Sequence, residues 1–255
     1  MRYLKTIVLS LCILLGCGAI SHAQMTTEQM EKVYEELDAK LDEYFEAIKT
    51  LDTQQKIEEV DFLISTCEDS LIRQRVALQS YSHYMTSPVM GDEAIPVHLT
   101  DTWFATGKIK MLEEFDLLNA MVYAEFNRQS LLGCKAQPLA METFEGDSLT
   151  VLSGGAKRYR IVYFYDTGCA KCKLQSPLMT RALSTLDYPV DLYCIYTGAS
   201  RESWENYLES NFHITAENVR VYNLWDATRS SDFERKYGVL QTPRMFLVDR
   251  SGTII

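Results

Sequence analysis

The chain has 255 residues, 47% hydrophobic and 24% charged, a globular composition long enough for one large domain or two ordinary ones. Its formal net charge is −10, from 35 acidic against 25 basic residues. That balance argues against nucleic acid or an anionic membrane surface as the main partner, because phosphate binding requires a basic patch.

The first elements in the chain are targeting signals. Arg2 and Lys5 precede an apolar run from Ile7 to Leu15, and Ser21-His22-Ala23 supplies small residues at the −3 and −1 positions of a cut before Gln24. Residues 1–23 therefore read as a signal peptide, and the mature chain is expected in the periplasm. The apolar run is too short for a comfortable membrane span. A competing cut lies before Cys17, where Leu14-Leu15-Gly16-Cys17 resembles a lipoprotein box and would put a lipid anchor on that cysteine. With the signal removed, five cysteines remain: Cys67, Cys134, Cys169, Cys172 and Cys194. An odd number does not suggest a disulfide-stapled scaffold, and one close pair among scattered singles looks like a working site.

From Thr26 to about Leu51, Met30, Val33, Leu37, Leu41, Tyr44, Ile48 and Leu51 recur every three or four positions, the stripe of an amphipathic helix. A second helical pattern covers Thr53 to Met85 with a break near its middle, and Ser87-Pro88 and Met90-Gly91-Asp92 stop it. Further helices are expected from Leu99 to Thr106 and from Glu113 to Leu132. Together they predict an all-α domain over residues 24–133. Its aromatic set Tyr81, Tyr84, Trp103, Phe104, Tyr123 and Phe126 reads as core rather than as a ligand box.

The pattern changes near Gly133. Strands are expected at Leu149–Leu152, Arg160–Tyr165, Pro189–Tyr196, Val219–Tyr222 and Arg244–Val248, with the start of another at Thr253–Ile255. Helices are expected after Cys172 to about Leu186, at Glu202–Phe212 and at Ser231–Tyr237. This alternation predicts an α/β domain over residues 134–255, its sheet covered by helices on both faces.

Cys169-Ala170-Lys171-Cys172 follows directly on a buried strand and opens a helix. At a helix N-terminus the unpaired N–H groups favour a thiolate over a thiol. Two intervening residues bring the second sulfur within disulfide reach of the first. Lys171 adds a cation that favours the thiolate if it turns toward the sulfur. Three other readings compete. A zinc site needs four ligands where this motif gives two, and His83, His98 and His213 show no paired spacing. A permanent structural disulfide and a peroxide-reducing site are the others, the latter lacking a threonine three residues before Cys169. Cys194, on an expected core strand, reads as a buried apolar residue. Cys67 and Cys134 are candidates for pairing with each other, with nothing in the sequence to fix their distance. Far downstream, Thr242-Pro243 places a proline at the first position of a hydrophobic strand, where a ladder tolerates it.

These residues carry a resemblance. From about Pro138 onward the chain resembles the thioredoxin-like TlpA/ResA group of exported reductases, through Val162–Cys172, Tyr237-Gly238-Val239, Thr242-Pro243 and Asp249–Gly252. The resemblance implies a thioredoxin-like fold with an extra strand and helix, a nucleophilic Cys169, a resolving Cys172, and a cis Pro243 beside Thr242 at the substrate groove. It implies protein or peptide disulfides as substrates, a membrane electron donor for re-reduction, and no cofactor or metal. The helical segment resembles, through Ser87–Trp103, an uncharacterised domain joined to such modules in exported proteins. Gly168 and Tyr165 stand where the group often has tryptophan, and Ala170-Lys171 replaces Gly-Pro between the cysteines, so the direction of electron flow is not inherited. The resembling fold also continues into a final helix beyond Ile255, so the expectation is a truncated chain with an uncovered apolar face, or else N-terminal helices that cover it. The sequence thus points to an exported thiol-disulfide oxidoreductase, a reductase before an oxidase. The rival is a non-catalytic binding module with a vestigial cysteine pair.

Overall fold

The structure, a computed structural model, describes residues 26–255 except 213 and 215. The expected signal peptide, its cut site, Cys17 and His213 lie outside the described residues. Among the described residues no helix is long and apolar enough to cross a membrane. The chain divides into two compact units between Ala124 and Glu125.

The first unit is helical. Helix α1 (Thr27–Ile48) and helix α2 (Thr53–Thr66) each begin with a capping box, Thr26 with Gln29 and Asp52 with Gln55. Each cap satisfies end N–H groups and contributes about 1 kcal/mol. The long pattern ending at Met85 breaks after Thr66, and Asp69 restarts it by accepting the N–H groups of Leu71 and Ile72 at the head of α3 (Ser70–Met85). The next helix, α4 (Ala94–Leu99), starts five residues before the expected Leu99. Pro96 lies in its first turn, where no intrahelical donor is required, so it does not delimit the helix. It runs on into a π-helical turn, Thr100–Phe104. Asp61 of α2 holds this turn by accepting the Trp103 Nε1–H at 2.7 Å and contacting His98 Nε2 at 2.8 Å. Leu37, Leu41, Tyr44, Ile48, Val60, Ile64, Val76, Tyr84, Ile95 and Phe104 form the buried core, with Tyr81 and Trp103 packed against it. Tyr81, Tyr84, Trp103 and Phe104 thus serve this core, as expected, whereas Phe126 groups with the second unit.

Helix α5 (Glu114–Asn127) leads into a 3-10 turn, Arg128–Ser130. Its last residues group with the second unit. Asn127 is buried and accepts from Arg244 Nη2 at 2.9 Å, and the Arg235 guanidinium lies over the Phe126 ring.

The second unit is built on a six-stranded sheet of order β2-β1-β5-β4-β3-β6. Its strands are β1 (Leu139–Thr143), β2 (Ser148–Val151), β3 (Tyr159–Tyr165), β4 (Val190–Tyr196), β5 (Val219–Trp225) and β6 (Arg244–Val248). Strands β3, β4 and β5 are parallel, while β6 runs antiparallel to β3 with Tyr163 opposite Met245. Helices α6 (Ala170–Leu183) and α7 (Arg201–Ser210) make the β3–β4 and β4–β5 crossovers, and α8 (Phe233–Tyr237) precedes β6. Alternate residues of β3 feed two cores. Val162 and Phe164 join Phe233, Tyr237 and Phe246 on one face, while Tyr163 and Tyr165 join Cys172, Trp204 and Tyr207 on the other. Gly238 ends α8 at φ +59°, and a Cβ there would stand 2.6 Å from Asn127 Oδ1, so both backbone and space require glycine.

Candidate active site

Strand β3 ends at Tyr165, and the turn Asp166-Thr167-Gly168 delivers Cys169 to the N-cap of α6. Asp166 holds this turn, accepting the Gly168 N–H on Oδ1 at 2.7 Å and the Cys169 N–H on its carbonyl at 3.2 Å. A Cβ at position 168 would stand 3.1 Å from that carboxylate oxygen. The expected redox pair is therefore placed by a strand end and a helix start, two rigid elements.

Cys169 and Cys172 are joined as a disulfide, with Cα atoms 5.2 Å apart. Cys169 is partly exposed and Cys172 fully buried. The Cys172 N–H points at Cys169 Sγ from 3.1 Å, so the outer sulfur sits where the helix start offers an unpaired donor. On its other side Cys169 Sγ lies 3.3 Å from the Thr242 carbonyl oxygen. The Thr242–Pro243 peptide is cis, and Pro243 immediately precedes β6. The structure thus gathers Cys169, Cys172, Thr242 and Pro243 at one end of the sheet. Lys171 is exposed in the first turn of the same helix.

Under the pair lies a polar and aromatic floor that sequence reasoning missed. The Tyr207 hydroxyl lies 3.3 Å from the Cys172 carbonyl oxygen and 2.9 Å from Ser176 Oγ. Ser176 Oγ is in turn 3.2 Å from the Tyr163 hydroxyl, and Trp204 Nε1–H donates to the Tyr165 hydroxyl at 2.9 Å. Burial pushes the Tyr163 phenol up to about 12 and raises those of Tyr165 and Tyr207 as well. These groups stay protonated and neutral, so they orient the helix and do not act as bases near neutral pH. Their only sequence signal was an aromatic residue on the inner face of an amphipathic helix, which any core helix shows.

The other cysteines fall outside this site. Cys194 is fully buried on β4, as expected for a core residue, and burial holds its thiol well above the ordinary range. Cys67 is buried with its thiol 3.2 Å from the Leu63 carbonyl oxygen, and Cys134 is partly exposed.

The chain is similar to known thioredoxin-like proteins. A thioredoxin-like family profile matches residues 156–254. Among solved structures, a thioredoxin-like protein from Bacteroides caccae aligns with TM-score 0.64 and 14% identity, covering 93% of this chain and 91% of that one. A domain of a possible thiol-disulfide isomerase from Cytophaga hutchinsonii aligns at TM-score 0.43 and 24% identity, over 51% of this chain and 84% of that one. A thiol-disulfide oxidoreductase from Bacteroides fragilis aligns at TM-score 0.38 and 17% identity, over 48% and 87% respectively. No curated protein matches the chain in sequence. The second unit is a thioredoxin-like domain, preceded by a helical region. That family and the Cys169–Cys172 pair together support redox function for the domain.

Proposed function

We propose that the protein is an exported thiol-disulfide oxidoreductase that reduces protein or peptide disulfides. The observation that carries this reading is the outer sulfur at the start of α6, which faces the Cys172 N–H on one side and the Thr242 carbonyl on the other. In the reduced enzyme the Cys169 thiolate attacks one sulfur of a substrate disulfide, forming a mixed disulfide and expelling the other substrate sulfur as a thiolate, which takes a proton. Cys172, deprotonated, then attacks Cys169 Sγ. This closes the internal disulfide and releases the second substrate thiol. Two electrons pass from the enzyme dithiol to the substrate, and a membrane electron donor returns them.

Burial of Cys172 leaves Cys169 as the sulfur open to attack by or on a substrate. The Thr242–Pro243 segment is where the substrate chain would lie, its backbone beside the mixed disulfide. Lys171, exposed in the first turn of α6, adds positive charge that favours the thiolate when its side chain turns toward the sulfur. No cofactor or metal enters the cycle. The secretory reading of residues 1–23 places the enzyme in the periplasm, with a lipid anchor if processing occurs at Cys17.

The test is the redox equilibrium of the folded protein across a glutathione series. The expected result is a reversible two-electron transition that disappears in Cys169→Ser, with a potential in the reducing range. A folded protein with no transition would overturn the proposal in favour of a binding module. A strongly oxidising potential would reverse the direction of electron flow.

A further inference from the structure

Helix α5 carries apolar residues on two faces, with Leu117 packed against the core of the helical unit. It buries the small side chains of Ala120 and Ala124 completely and exposes Phe115, Leu118, Met121 and Val122 at 69%, 55%, 48% and 43%. Phe115, Leu118 and Val122 stand at i, i+3 and i+7, one stripe along the helix, and Leu112, 71% exposed, extends it at the N-terminal end. A helix needed only to complete its own unit would turn these residues inward; a contiguous exposed apolar stripe marks a binding surface. Beside its N-terminal end lies a cavity of about 220 Å³, walled by Phe104, Ile109, Met111 and Leu117, with Glu113, Glu114 and one cation, Lys110, also lining it.

Charge identifies the occupant. Residues 26–124 hold 20 Asp and Glu against 8 Lys and Arg, a net of −12, whereas residues 125–255 hold 15 of each and balance. Glu113, Glu114 and Asp116 place three of the carboxylates at the start of the stripe itself. Two copies of so acidic a unit repel each other. Five half-exposed side chains also offer roughly 400 Å² per copy, about half of what a stable interface buries per partner. We infer that the outer face of α5 and its adjoining cavity dock a basic amphipathic helix of a partner protein. Its apolar ridge lies along Phe115–Val122, one large side chain fills the cavity, and its Lys or Arg residues meet Glu113, Glu114 and Asp116.

The test uses the full chain and two labelled synthetic helical peptides. Both have leucine at heptad spacing; one carries lysine at the remaining positions and the other glutamate. Fluorescence anisotropy should show the lysine peptide binding and the glutamate peptide at least about tenfold weaker. Leu118→Ser and Phe115→Ser, both at exposed positions, should each weaken the lysine peptide by about tenfold or more. Equal binding of the two peptides, or undiminished binding to both variants, would overturn the inference. So would sedimentation showing self-association that Leu118→Ser abolishes, which assigns the face to a second copy. Binding is read without any redox chemistry, so these outcomes are independent of whether the Cys169–Cys172 pair turns over.

Discussion

The two units differ in how they place charge. The helical unit is strongly acidic outside, yet buries a full ion pair: Lys56 Nζ meets Asp92 Oδ1 at 2.7 Å with side chains 3% and 4% exposed, and Ser87 donates to the second carboxylate oxygen at 2.6 Å. The thioredoxin-like unit is neutral overall and buries Arg160, which donates to the carbonyls of Gly154 and Asp249, while Arg158 pairs with Asp191 at 2.7 Å nearer the surface. The buried ion pair joins two side chains distant in sequence and fixes α2 against the turn that precedes α4. Arginine bonds to loop carbonyls fix where a loop lies against a sheet. The reactive sulfurs belong to the second kind of unit, where two backbone groups, the Cys172 N–H and the Thr242 carbonyl, lie beside Cys169 Sγ.

The largest expected effect tests that assignment. Cys169→Ser removes the attacking sulfur, and disulfide reduction measured with an insulin-type substrate should fall by about a thousandfold or more, with thermal unfolding of both units intact. Residual turnover at a tenth of the native rate would mean that Cys172 or another thiol can attack directly, and that the floor beneath it is not sealed. Next in size, Lys56→Met strands the Asp92 carboxylate in the core and should cost about 3–5 kcal/mol in urea unfolding of the helical unit. Lys56→Met with Asp92→Asn should recover part of that loss. The redox equilibrium should not move in either variant; a shift would show that the units are energetically linked. Smaller again, Tyr207→Phe removes the hydroxyl that meets Ser176 and the Cys172 carbonyl. It should cost about 1 kcal/mol of stability, and the rate of mixed-disulfide resolution by Cys172, followed by stopped flow, should change where that of Cys67 alkylation does not.

Legibility in the sequence followed the range of the interactions involved. Strands β3, β4 and β6 are short apolar runs whose bounds the structure moves by a residue at most, because burial on both faces leaves an unbroken hydrophobic signature. Strand β1 was not foreseen. Leu139-Ala140-Met141-Glu142-Thr143 is composed largely of helix-favouring residues, and only its pairing with β2 and β5 makes it a strand. The helix expected over Leu99–Thr106 is instead the last residue of α4 followed by the π-helical turn Thr100–Phe104, a difference of backbone winding that side-chain periodicity does not report. In the site, the CxxC spacing and the pre-strand proline were visible as local motifs. Tyr207 and Ser176 were not, since their meeting is made 31 residues apart by the packing of α7 on α6. The exposed apolar face of α5 was also hidden: its apolar periodicity is that of an ordinary amphipathic helix, and the sequence does not say which side faces in.

The smallest effect concerns acid. Burial would raise the Asp226 carboxyl, but hydrogen bonds from Ser231, Ser230 and Thr228 outweigh it and hold the group below its ordinary value of 3.8. The geometry agrees, with the Ser231 N–H at 2.7 Å from Oδ2 and the Ser230 N–H at 3.1 Å from Oδ1. A carboxylate whose folded value is depressed binds fewer protons in the native state than in the unfolded chain near that pH. Its contribution to stability is therefore complete above 3.8 and is lost as pH falls through 3.8 toward the folded value. Asp226→Asn keeps one acceptor oxygen but cannot titrate. The variant should be less stable than the native protein at pH 7, and the gap should narrow in urea unfolding at pH 3. A gap that stays constant would mean that Asp226 acts by shape in the turn after β5, and that this unit, neutral overall, owes none of its acid response to that turn.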